Sequence, residues 1–67
     1  MMTVVINGES KKFAQRSSLE ELLKTLDLPD RRIAVELNKN VVRRQDWGRV
    51  KISDKDRIEI IHFVGGG

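Results

Sequence analysis

The residues best placed to do chemistry in this chain are its last three. An alternating apolar strand, "IEIIHFV", passes directly into Gly65, Gly66 and Gly67. No helix follows to supply N-terminal amides, so these glycines do not read as a phosphate-cradling loop. Three extended residues reach roughly 10 Å. Without Cβ atoms they can thread a channel closed to other residues and take backbone angles that others avoid. What such a stalk presents is a terminal carboxylate, ionised at neutral pH with a reference pKa of about 3.5. A carboxylate is a fair nucleophile toward the α-phosphate of ATP. As an acyl-adenylate it becomes an electrophile, able to accept sulfur from a persulfide or nitrogen from a lysine. Gly67 is therefore the expected reactive end, with Gly65 and Gly66 as its stalk. The competing reading is a disordered terminus without a role.

The rest of the chain offers little reactive chemistry of its own. There is no cysteine, which removes disulfides and thiolate metal sites, and if sulfur is the cargo only the terminal acyl group can hold it. A single histidine, His62, leaves no zinc site and no catalytic triad. Without an acid, base and nucleophile set, the chain reads as a carrier and co-substrate, not as an enzyme. Net charge is +3, with acidic and basic residues interleaved, the pattern of a solvated surface and not of a nucleic-acid footprint. The pairs Arg31-Arg32 and Arg43-Arg44 read as protected sheet edges, with no aromatic residues interleaved for base stacking. No apolar run approaches the roughly 20 residues needed to cross a bilayer, and a cytoplasmic location is the default expectation.

Sixty-seven residues allow one domain with a thin core, here residues 1–64, followed by a flexible glycine tail over 65–67. "TVVI" runs into Asn7-Gly8, a strong type I′ hairpin signal, and "ESKKFA" returns with Phe13 as its anchor. In "SSLEELLKTLDL", Leu19, Leu22, Leu23 and Leu26 fall at i, i+3, i+4 and i+7, one stripe of an amphipathic helix. Ser17 or Ser18 can cap it, Ser18 and Glu21 have capping-box spacing, and Pro29 is the expected stop. "IAVELN" alternates, with Ile33, Val35 and Leu37 on one face and Ala34, Glu36 and Asn38 on the other. Asn38-Lys39-Asn40 turns the chain into a short strand, "VVRR". An irregular stretch containing Trp47 and Gly48 precedes the last strand, "RIEIIHFV". One helix across one face of a mixed sheet of about five strands is an α+β, β-grasp (ubiquitin-like) arrangement.

In the last strand, Ile58, Ile60, His62 and Val64 are expected to point toward the helix. Ile61 and Phe63 then share the uncovered face with Glu59 and form a candidate partner-docking surface. Alternatively, twist returns one of them to the core or Trp47 folds over them. Trp47 itself reads as a half-buried lid on the end of the sheet, and His62 as a strand residue at the rim of the core.

Taken in order, "INGE", "SLEELLKTLDL", "IAVELNKNVVRRQDW" and "DKDRIEIIHFVGGG" resemble the ThiS family of sulfur carriers over essentially the whole chain. The most specific segments are "VVRRQDW" and the glycine-terminated end, although Arg43 stands where the family often has proline. The resemblance implies a β-grasp fold and a carrier function in thiamine biosynthesis. A ThiF-type adenylating enzyme would use ATP and magnesium to adenylate Gly67. A cysteine desulfurase would supply sulfur through a persulfide, giving a thiocarboxylate. A ThiG-type thiazole synthase would take that sulfur for the thiazole ring. Neither a metal site nor a stably bound cofactor is implied for the chain itself. The alternatives are a related carrier for molybdopterin synthesis, a ubiquitin-like protein modifier, or a small basic module that binds RNA or protein.

Overall fold

The computed structural model describes residues 1–28 and 32–63. Strands β1 (Met2–Ile6) and β2 (Glu9–Phe13) form the opening antiparallel hairpin. Asn7 and Gly8, with φ of 48° and 84°, supply the two left-handed positions of its type I′ turn.

Helix α1 (Leu19–Thr25) begins with every orphan amide accounted for. The Ser18 hydroxyl accepts from the Glu21 N–H at 3.1 Å, and the Glu21 carboxylate accepts from the Ser18 N–H at 2.9 Å. The amides of Leu19 and Glu20 donate to the carbonyls of Val50 and Trp47 at 2.8 and 3.1 Å. The stretch that looks irregular in sequence is therefore the lid on the helix start. The helix also ends earlier than the expected stop at Pro29, which lies outside the described residues. Asp27 takes a φ of 56°, and the amides of Asp27 and Leu28 turn back to the carbonyls of Lys24 and Leu23 at 3.0 and 3.3 Å. This is a Schellman closure, built on an aspartate where glycine is commoner.

Strands β3 (Ile33–Leu37) and β4 (Asn40–Val42) pair across Asn38 and Lys39, a second turn with both φ values positive. The return strand is thus shifted from the expected "VVRR": it starts at Asn40 and stops at Val42, and Arg44–Asp46 form a 3-10 turn. Trp47 follows that turn. It is more deeply placed than a half-buried lid, at 5% exposure, because its indole N–H donates to the Val42 carbonyl at 3.1 Å while the ring joins the core.

Strand β5 (Arg57–His62) completes a sheet of order β2-β1-β5-β3-β4. It runs parallel to β1 and antiparallel to β3, so the last strand made is the central one. Alternate residues Met2, Val4, Ile6, Val35, Ile58 and Ile60 face α1 and are buried with its leucines. This is the β-grasp fold.

The capping box has a pH signature. The Glu21 carboxyl titrates below its ordinary value of 4.5, chiefly because of the hydrogen bond from the Ser18 backbone, then that from the Ser18 side chain, with smaller help from Lys51 and Lys24. A lowered folded-state pKa gives stability that is complete above pH 4.5 and is lost as the pH falls through the folded value. Glu21→Gln is expected to flatten the acid limb of a urea-midpoint profile, while Ser18→Ala lowers stability at neutral pH by about 1 kcal/mol.

Candidate functional site: the exit of the central strand and the face beside it

The tail expected from the sequence to carry the chemistry follows β5 in the chain, and the fold fixes the strand that precedes it. Strand β1 accompanies β5 only over Val5↔Arg57 and Ile6↔Ile58, because the chain then turns away at Asn7. Beyond that point, Ile60 has no strand on its β1 side. The Asn7 side chain replaces it: its carbonyl accepts the Ile60 N–H at 2.8 Å and its amide donates to the Ile60 carbonyl at 3.3 Å. On the other edge, Asn38 is used in the same way. Its side-chain carbonyl accepts the Arg57 N–H at 2.9 Å, and its backbone N–H donates to the Arg57 carbonyl at 2.7 Å. Both asparagines occupy left-handed turn positions that their short polar side chains tolerate. Each therefore reverses the chain and also grips the central strand. The Phe63 N–H donates to the Arg32 carbonyl at 2.7 Å, so β5 is held to the sheet up to the residue before Val64. Val64 and the expected reactive tail, Gly65, Gly66 and Gly67, lie outside the described residues.

The two faces of β5 separate as the alternation predicts. Ile58 and Ile60 are buried, while Ile61 and Phe63 stand 46% and 58% exposed on the face opposite α1. Neither is turned back into the core, and Trp47 lies in the core and does not cover them. His62 keeps to the α1 side, as expected of a residue at the rim of the core, but it is exposed. The cause is the shortness of α1. Past its end, His62 borders an open hollow of 230 Å³ floored by Ile6, Ile60, Leu26 and Leu28 and rimmed by Asn7, Glu9 and Lys11.

Two features of this region were not singled out from sequence. Val41, 71% exposed, extends the apolar surface on β4 beside Glu36. The signal was present in "NVV", where consecutive valines must face opposite sides of a strand. The grip of Asn7 had no such signal, since its partner is distant in the chain. Among the described residues no group of His, Cys, Asp or Glu could hold a metal ion.

A small β-grasp domain, with a sheet-held last strand leading to a glycine-rich end and an uncovered apolar face beside it, defines a protein of the ubiquitin-like class. The ThiS family model matches residues 4–67, and the chain belongs to the ThiS family. It is 35% identical over 63 residues to the sulfur carrier protein ThiS of Bacillus subtilis, covering 92% of this chain and 96% of that one. It is 39% identical over 66 residues to a thiazole synthase of Paramagnetospirillum magneticum, covering 98% of this chain. The chain spans only 20% of the length of that relative, and likewise of the thiazole synthase of Magnetococcus marinus. The crystal structure of a thiamine biosynthesis protein, ThiS, from Geobacter metallireducens superposes with a TM-score of 0.86 at 30% identity, covering 98% of this chain and all of that one.

The asparagine grip on β5 is directly testable. Asn7→Gly keeps the positive φ but removes both bonds to Ile60, and is expected to cost about 1–2 kcal/mol in denaturant unfolding. Amide hydrogen exchange should accelerate at Ile60 first, with the amides of α1 changing only by the global shift.

Proposed function

We propose that this chain is a sulfur carrier of thiamine biosynthesis, with Gly67 as the group that is activated and loaded. The observation that carries the reading is the combination of ThiS family membership with a triple-glycine end that in sequence closely follows the central strand. The chain supplies a scaffold, a stalk and an acyl group; the partners supply the catalysis. In the first step the Gly67 carboxylate oxygen attacks the α-phosphorus of ATP, and pyrophosphate leaves. A ThiF-type adenylating enzyme performs this step with magnesium. A persulfide sulfur, delivered by a cysteine desulfurase, then attacks the acyl carbon and displaces AMP. A second thiol opens the resulting acyl disulfide, itself ending in a disulfide, and leaves the thiocarboxylate.

A ThiG-type thiazole synthase then takes the sulfur. The two thiazole synthase relatives, each containing a segment similar to this chain within a longer protein, support that partnership. Gly65 and Gly66 serve as the stalk that passes the terminus into each partner's active site, since glycine needs no side-chain clearance. Ile61 and Phe63 serve as the docking face, because they lie at the end of β5, shortly before the glycines in sequence, and on the side that α1 leaves open.

Intact-mass measurement after incubation with ATP, magnesium, the adenylating enzyme, a desulfurase and cysteine tests the reading. The expected change is replacement of one oxygen by sulfur, localised to the last peptide. Deleting Gly66 and Gly67 is expected to leave the thermal midpoint unchanged and to abolish the mass change. Sulfur found elsewhere on the chain, or loading that survives the deletion, contradicts the proposal.

A further inference from the structure

The face that α1 leaves open carries a charge arrangement that the fold does not use. Glu36 on β3 and Glu59 on β5 are direct cross-strand partners. In the same register, the Asn38 N–H donates to the Arg57 carbonyl and the Phe63 N–H to the Arg32 carbonyl. Counting in twos between those bonds makes Glu36 and Glu59 a hydrogen-bonded pair, with Cα atoms about 5.5 Å apart. Like charges directly opposite on a sheet are destabilising. Neither carboxylate forms an ion pair among the described residues. Lys39 and Arg57 border a shallow hollow of 280 Å³ together with Glu59, yet neither closes onto it as an ion pair.

On the side of this pair away from Lys39 and Arg57 the surface is apolar. Val41 lies opposite Glu36 on the β4 side, and Ile61 follows Glu59 on the same face of β5, opposite Ala34. Phe63 comes next. Two adjacent carboxylates without an ion pair, flanked on one side by apolar residues, are a local feature of a chain whose net charge is +3.

We propose that this face docks thiazole synthase and that the Glu36–Glu59 pair receives an arginine side chain projecting from an apolar patch of that enzyme. The inference rests on the reading that the chain delivers sulfur to thiazole synthase, and it adds the chemistry by which that partner is recognised. A guanidinium presents a planar fork of donors that can bond both carboxylates at once, which an ammonium does only as a point charge. Covering the apolar rows with a partner that lacks a cation would strip water from two unpaired carboxylates, so the pair also rejects wrong partners. A second copy of this chain is a poor occupant. A face-to-face dimer sets one pair of glutamates against the other.

The test compares Glu36→Gln/Glu59→Gln with Ile61→Asp, both in the full chain, by calorimetric titration against thiazole synthase at low and high salt. The double glutamine variant keeps side-chain volume and removes only charge. Its affinity is expected to fall about tenfold or more and to become insensitive to salt, whereas wild-type affinity declines as salt screens the contact. Its thermal midpoint is expected to hold or rise, because the like-charge repulsion is gone. Weaker binding with undiminished stability is a combination that a merely structural role does not produce. Wild-type affinity and salt dependence retained by the double variant, with binding lost in Ile61→Asp, overturns the arginine receptor and leaves the docking face standing. Retention by both variants overturns the face as well. Neither result touches the loading of Gly67, which the mass measurement reads separately.

Discussion

The fold depends on holding its last strand in the middle of the sheet. Strand β5 has β1 on one side and β3 on the other, and each of those strands belongs to a hairpin that closes locally. The hairpins form from near neighbours in sequence, but they become one sheet only when the final residues enter between them. The parallel pairing with β1 is short, and the Asn7 side chain completes it at Ile60. Nucleation by local contacts and completion by distant ones is the expected folding order for such a topology. It also means that the last described residues, up to Phe63, are held at the centre of the sheet and not at a frayed edge.

A domain this small has little apolar area to spare, and its core is assembled from every available source. The seven residues of α1 cover only part of the sheet. The 3-10 turn, Trp47, Val50 and Ile52 cover another part, and the same stretch satisfies the helix amides through the carbonyls of Trp47 and Val50. No buried side-chain polar atom among the described residues lacks a partner. The cost of this economy is one naked sheet face. In a free-standing enzyme that face would be a liability. For the proposed carrier it would be a place to be held, next to the strand that leads to the glycine tail.

Under the proposed function, reactivity and recognition would be separated along one stretch of chain. Odd-numbered residues of β5 look outward and even-numbered ones look inward, so the same six residues anchor the core and present Glu59 and Ile61 to a partner. The proposed acyl chemistry at Gly67 would need nothing from the side chains of this domain. Discrimination among partners would then come from the surface, where cross-strand register sets Glu36 beside Glu59 with Val41 and Ile61 next to them.

Much of this was legible in the sequence because it is local. Asn7-Gly8 specifies its own turn, Ser18 and Glu21 cap each other across one helical turn, and the leucine spacing sets the buried side of α1. The alternation of β5 assigns Ile61 and Phe63 outward without knowledge of any neighbour. Where local signals competed, the reading slipped: Asp27 closed the helix ahead of Pro29, and β4 stopped at Val42 because Arg44 entered a 3-10 turn. Tertiary structure alone decided what depends on two distant segments meeting. Asn7 binds a residue 53 positions away, and Glu36 faces Glu59 only because β3 and β5 take one particular register. Periodicity tells each strand which way its side chains point, but register is a property of the pair, fixed when the core closes around both.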